Sequence, residues 1–124
     1  MTEVEFSVPI PPTVNHAVGS HGKGRFLTKT YKEFLWDVAE RWAKVKPLGW
    51  DPLSRFGIDI SLHFETRRKC DIDNRVKPLL DALTRAGVWA DDSQVDEIVV
   101  TRDTIDKDRP RADVKLFTGT RFDT

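Results

Sequence analysis

Phe56-Gly57-Ile58-Asp59-Ile60-Ser61-Leu62-His63-Phe64-Glu65 alternates apolar and polar side chains along its length. Phe56, Ile58, Ile60, Leu62 and Phe64 fall on one face, with Asp59, Ser61, His63 and Glu65 on the other. This is the two-residue period of a strand with one buried face and one wet or functional face. Such a strand needs partners to pair with and a layer to cover its apolar side, and the flanking sequence must supply both.

Upstream, Val4, Phe6, Val8 and Ile10 repeat the alternation and are closed by Pro11-Pro12; this reads as the first strand. Downstream, Val95–Thr104 and Ala112–Phe117 are β-rich runs, with residues 105–111 reading as a hairpin connection. Thr30-x-x-Glu33 is a capping box ahead of Tyr31, Phe34, Leu35, Val38, Trp42 and Val45 at helical spacing, and Pro47 and Gly49 stop that helix near Lys46. A second helix starts near Asp73 or Asn74, buries Val76, Leu79, Leu80 and Leu83, and ends at Gly87, with Pro78 in or near its first turn. Residues 13–29, rich in Gly, Thr, His and Lys, read as one long loop, a length usually reserved for binding or mobility. The order β-α-β-α-β-β, without repeats or a linker, specifies an α+β fold. A mixed sheet is packed by two helices in a single compact domain over residues 1–124.

With 124 residues, 39% hydrophobic and 32% charged, the chain suits one core. No apolar run approaches the roughly 18 residues of a membrane span, and Met1-Thr2-Glu3-Val4-Glu5 is acidic rather than a basic leader, so a soluble cytoplasmic protein is expected. The single cysteine, Cys70, allows no internal disulfide. Twenty bases against twenty acids leave no net charge, but the charges are not evenly spread. Lys23, Arg25, Lys29 and Lys32 stand without an acid between residues 15 and 32, and Arg67, Arg68, Lys69, Arg75 and Lys77 outnumber Asp71 and Asp73. Trp36, Trp42, Trp50 and Trp89 fit an interface or, more simply, the core.

The chemistry concentrates in Cys70-Asp71-Ile72-Asp73-Asn74-Arg75-Val76-Lys77, followed one helix later by Asp91-Asp92. Asp71 and Asp73 point to one side if their stretch is extended, and a return loop would bring Asp91 or Asp92 beside them. Oxygen-only ligands suit Mg²⁺, with Mn²⁺ as a substitute, and such an ion assists phosphodiester hydrolysis. Lys77, four residues beyond Asp73, would share its helix face and stabilise the charge that develops on phosphate. A plainer reading stands beside this one. Asp73 or Asn74 can cap the helix, Asp91-Asp92 can open a turn, and Asp71 can pair with Arg67 or Arg68. An EF-hand is excluded, because Val76 occupies the required Gly position and Ala82 that of the bidentate Glu. His16, His21 and His63 lack zinc-site spacing.

Arg67-Arg68-Lys69-Cys70-Asp71-Ile72-Asp73-Asn74, Lys77 and Asp81-Ala82-Leu83-Thr84-Arg85-Ala86-Gly87-Val88-Trp89-Ala90-Asp91-Asp92-Ser93-Gln94-Val95, with Pro11-Pro12-Thr13-Val14-Asn15 in support, resemble the RusA family of Holliday junction resolvases. The resemblance implies a homodimeric Mg²⁺-dependent endonuclease, often carried by phages and prophages. It would work in recombination and repair at the nucleoid of a bacterial or phage-infected cell. It implies that Asp71, Asp73 and Asp92 bind the metal, with Asp91 a further candidate, and that Lys77 is the catalytic lysine. It also implies paired symmetric nicks in four-way DNA junctions. Thr13 stands for the family's Ser, and Pro78 directly follows Lys77.

On this reading Arg67, Arg68, Lys69 and Arg75 hold phosphates beside the metal, while Asn15, Lys23 and Arg25 belong to a loop that embraces a second strand. Two rivals remain. One is a restriction-type site built on Asp113-Val114-Lys115 with Asp92 or Asp96 upstream. The other is a non-catalytic prophage DNA-binding protein of the same fold that uses Arg67–Lys69 for backbone contact alone.

Overall fold

A computed structural model describes residues 2–21 and 24–118. In chain order these form β1 (Thr2–Val8), α1 (Val14–Ala17), β2 (Val18–His21), β3 (Gly24–Leu27), α2 (Lys29–Val45), β4 (Phe56–His63), α3 (Val76–Ala86), β5 (Val95–Arg102) and β6 (Arg111–Thr118), with 3-10 turns at Asp73–Arg75 and Asp92–Gln94. The main sheet has the order β1-β6-β4-β5. β6 runs antiparallel to β1 and β4, whereas β5 runs parallel to β4. The expected α+β architecture and mixed sheet are therefore present.

The alternation in β4 works as the sequence requires: Phe56, Ile58, Ile60 and Leu62 are buried, while Asp59 and Ser61 lie on the opposite face. Register carries the pattern across the sheet, because Ile60 sits opposite Val114 and Phe6 opposite Val114 from the other side. α2 covers the apolar face with Tyr31, Phe34, Val38 and Trp42, and α3 with Pro78, Leu79, Leu80, Ala82 and Leu83. Rings run through the core from Phe6 to Trp42, Trp50, Phe56 and Trp89, with successive centroids 5.8, 5.0, 5.3 and 5.6 Å apart. Three of the four tryptophans thus build the core, and Trp36 alone is 72% exposed. Gly87 ends α3 in the left-handed conformation at φ 88°, a geometry that favours glycine.

Four expectations are corrected. Residues 13–29 are not one loop, because α1 and the β2–β3 ribbon lie within them. The Phe26 ring packs over its pairing partner Gly19, where a Cβ would meet it at 2.5 Å. The cap of α2 is Thr28, not Thr30. Its Oγ1 accepts from Tyr31 N at 3.2 Å and donates to His16 O at 2.7 Å, which stitches α1 to α2. Residues 105–111 do not form a hairpin, since β4 stands beside both β5 and β6 and separates them. Parallel pairing of β4 with β5 requires a crossover, and α3 provides it. Finally, α3 begins at Val76, preceded by the 3-10 turn, so Asp73 and Lys77 do not share a regular helix face.

Candidate active site

The crossover from β4 to β5 carries the four acidic residues weighed as metal ligands, Asp71, Asp73, Asp91 and Asp92. Asp71 and Asp73 lie between β4 and α3, both exposed, and their carboxylates engage no hydrogen bond or ion pair with any described residue. For these two residues the simpler roles are therefore not the observed ones, whereas Asp91-Asp92 does open a turn. Neither the 3-10 turn nor α3 has a side-chain cap, and Asp71 pairs with neither Arg67 nor Arg68.

Asp91 and Asp92 behave differently from each other. Asp91 caps the 3-10 turn: its Oδ2 accepts from Ser93 N at 3.0 Å, while Gln94 Oε1 accepts from Asp91 N at 2.9 Å. The hydrogen bond from Ser93 holds the Asp91 carboxyl below the usual carboxylate range. Gln94 then donates to the carbonyls of Pro52 and Ser54 at 2.7 and 2.8 Å, which ties this corner to the approach to β4. Asp92 instead receives Lys77 Nζ at 2.6 Å. Lys77 also lies 3.1 Å from Asp81 Oδ1. The hydrogen bonds to Asp92 and Asp81 push its pKa up, so Lys77 stays a cation throughout the neutral range.

Among the described residues, no group of three or more His, Cys, Asp or Glu side chains comes together to hold a metal ion. The expected return of Asp91 or Asp92 to the first pair is thus not met in one chain. The reason is visible: Asp92 is drawn to Lys77 and Asp91 to its own cap. Asp71 and Asp73 are left as the uncommitted carboxylates, an oxygen-only donor set suited to a hard divalent cation that keeps waters and phosphate oxygens in its shell.

The basic residues divide as well. Arg67, Arg68 and Lys69 are exposed beside Asp71. Arg75 turns inward: Nη1 donates to Pro11 O at 2.8 Å, the guanidinium lies 5.4 Å from the Phe64 centroid, and Nε is buried without a partner among the described residues. It braces the scaffold rather than standing free for phosphate, which corrects its expected role. Asn15 is exposed on α1. Lys23 lies outside the described residues, and Arg25 is described only as a position on β3.

Two residues escaped the sequence reading. Asp81, quoted only as part of the resembling stretch, is signalled as a partner by its i,i+4 spacing from Lys77. Arg102, the last residue of β5, donates through Nη2 to Cys70 O from 32 positions away, a contact no local pattern reveals. The segment from Cys70 to Lys77 is consequently tied at its first residue to the end of β5 and at its last to the turn before β5.

Asp113 and Lys115 stand on the open face of the sheet. Asp113 takes Ser7 Oγ at 2.7 Å, Arg111 Nε at 3.0 Å and His63 Nε2 at 3.1 Å, and Lys115 pairs with Glu5 at 3.4 Å. Burial raises the Asp113 pKa, but the bonds from Ser7 and Arg111 outweigh it and leave the carboxyl below its ordinary value. Asp96 pairs with Arg55 beside the start of β4, whereas Asp113 lies opposite Ser61, five residues along β4 from Phe56. The pieces of a restriction-type site are thus held apart. No helix among the described residues is long and apolar enough to cross a membrane.

Residues 9–117 match the profile of a family described as endodeoxyribonuclease RusA. The chain is 32% identical over 107 residues to the crossover junction endodeoxyribonuclease RusA of Escherichia coli K12, covering 86% of this chain and 88% of that protein. It is also 32% identical over 102 residues to the enzyme of the same name from Enterobacteria phage HK97, covering 82% of this chain and 84% of the relative. A similar protein from Enterobacteria phage 82 is 32% identical over 107 residues.

Proposed function

The chain belongs to the RusA family of endodeoxyribonucleases, and from that premise we propose that it resolves four-way DNA junctions by divalent-metal-dependent phosphodiester hydrolysis. The observation that carries the chemistry is the exposed, uncommitted pair Asp71 and Asp73, set between the basic run Arg67–Lys69 and a Lys77 held as a cation.

Asp71 and Asp73 are the residues that would hold Mg²⁺ or Mn²⁺, and Asp92, engaged by Lys77 in this structure, would complete the set only on release from that ion pair. When bound, such an ion neutralises charge on the attacked phosphate and lowers the pKa of water. The chain's own groups do the rest. Arg67, Arg68 and Lys69 bind flanking phosphates without reading bases, which suits recognition of shape over sequence. Lys77 stabilises the charge that develops on the reacting phosphate, and as a raised-pKa cation it serves as a donor and not as a base. Tyr31 Oη donates to Pro78 O at 3.0 Å and fixes α2 against the first turn of α3, one residue from Lys77. Burial, with Asp81 nearby, pushes the Tyr31 phenol up to about 12, so it remains neutral and takes no proton from the reaction.

Symmetric incision needs two sites, so the working form is a homodimer acting on DNA in the cytoplasm. The test is nicking of a labelled four-way junction in Mg²⁺ or Mn²⁺ by the wild type, Asp71→Asn and Asp73→Asn. Cleavage by the wild type, abolished in both variants while binding persists, is expected. Junction binding without any cleavage by the wild type would favour a non-catalytic binding protein instead.

A further inference from the structure

Arg102 ends the edge strand β5 and reaches across to the segment that carries Asp71 and Asp73. Its Nη2 donates to Cys70 O, its Nη1 lies 3.6 Å from Cys70 Sγ, and its guanidinium carbon sits 5.1 Å from the centroid of the Phe64 ring. One planar group thus meets a ring face and two atoms of the residue that precedes Asp71. Between Thr66 and Asp71 the chain has no regular secondary structure, and its only other described hydrogen bond is the local one from Arg68 N to Thr66 Oγ1 at 3.3 Å. On the far side of the acidic pair, Arg75 rests over the same Phe64 ring and bonds to Pro11 O. Asp71 and Asp73 are therefore bracketed by two arginines that share one aromatic platform, itself continuous with β4 and buried.

We propose that Arg102 is a positioning residue: through Cys70 and Phe64 it sets the Asp71 and Asp73 carboxylates in place for a divalent cation, without touching the cation or the DNA. The proposal rests on the metal-dependent reading above. Arginine suits the task because its fork donates in two directions while its plane stacks on an aromatic ring, and lysine reproduces the charge without the fork. Groups that orient metal ligands from behind typically govern about 10–100-fold in metal affinity.

The test compares wild type, Arg102→Met and Arg102→Lys. Amide hydrogen exchange over residues 70–74 is measured without divalent ions, Mn²⁺ binding by electron paramagnetic resonance, and junction nicking as a function of Mn²⁺. Arg102→Met should speed exchange in 70–74, weaken Mn²⁺ binding and raise the half-saturating Mn²⁺ about tenfold, while nicking at saturating Mn²⁺ and junction affinity without metal stay within about twofold. Arg102→Lys, which keeps the cation over Phe64 and guards against a merely unfolded variant, should recover only part of the effect. Unchanged exchange and unchanged Mn²⁺ dependence in Arg102→Met would overturn the proposal. Weakened junction binding with unchanged Mn²⁺ dependence would also overturn it, assigning Arg102 to DNA contact. A wild type that neither binds Mn²⁺ nor nicks would overturn the functional reading instead, whatever the exchange data show.

Discussion

Lys77 Nζ stands 2.6 Å from Asp92 Oδ2 and shares its charge with Asp81 at 3.1 Å. Two carboxylates on one ammonium hold it cationic and aim it along the start of α3, next to the segment that carries Asp71 and Asp73. The same ion pair engages the Asp92 carboxylate, which Asp71 and Asp73 do not share.

Lys77→Met should therefore lower single-turnover nicking on the order of 100-fold or more, the usual cost of losing a donor to developing charge. Junction affinity should stay within a few-fold, because Arg67, Arg68 and Lys69 supply the phosphate contacts. Gel-shift titration beside single-turnover cleavage separates the two effects.

Asp91 is a cap, so charge and geometry can be separated there. Asp91→Asn keeps an acceptor for Ser93 N and should leave both stability and nicking near wild type, whereas Asp91→Ala should cost about 1 kcal/mol in chemical denaturation. Loss of cleavage in Asp91→Asn to the level of Asp71→Asn would make Asp91 a metal ligand after all.

The tryptophans differ by place. Trp89 is buried and its Nε1 donates to Thr84 Oγ1 at 2.6 Å; Trp89→Ala should cost about 3–5 kcal/mol. Trp36→Ala, at an exposed position, should stay within about 0.5 kcal/mol. Urea unfolding followed by circular dichroism measures both.

Asp113 gives the pH response of the sheet's open face. Its folded-state pKa lies below the ordinary value of 3.8, so its contribution is present above that value and is lost as pH falls through the lower, folded-state one. Wild type should lose stability more steeply than Asp113→Asn between about pH 4 and pH 2. Denaturant midpoints across that series provide the check.

Much of this was legible in the sequence because it depends on short-range periodicity. The β4 alternation, the stripe from Tyr31 to Trp42 and the Gly87 stop all reappear in the structure. What was hidden depends on distance along the chain. Strands β2 and β3 are four residues each, too short to show a period. Nothing local shows that β4 lies between β5 and β6, since the period of a strand does not record the direction of its neighbour. The candidate acidic residues stood out in the sequence by their spacing and by the family resemblance. Their commitments could not, because the ties of Asp92 to Lys77 and of Cys70 to Arg102 span 15 and 32 positions.

The central claim is tested most directly by incubating an end-labelled four-way junction and a linear duplex of matched sequence with the protein in Mg²⁺. The account predicts paired, symmetric nicks in opposing strands of the junction alone, sealed by DNA ligase, and none without a divalent ion. Equal cutting of the duplex, or nicks that ligase cannot seal, would contradict it.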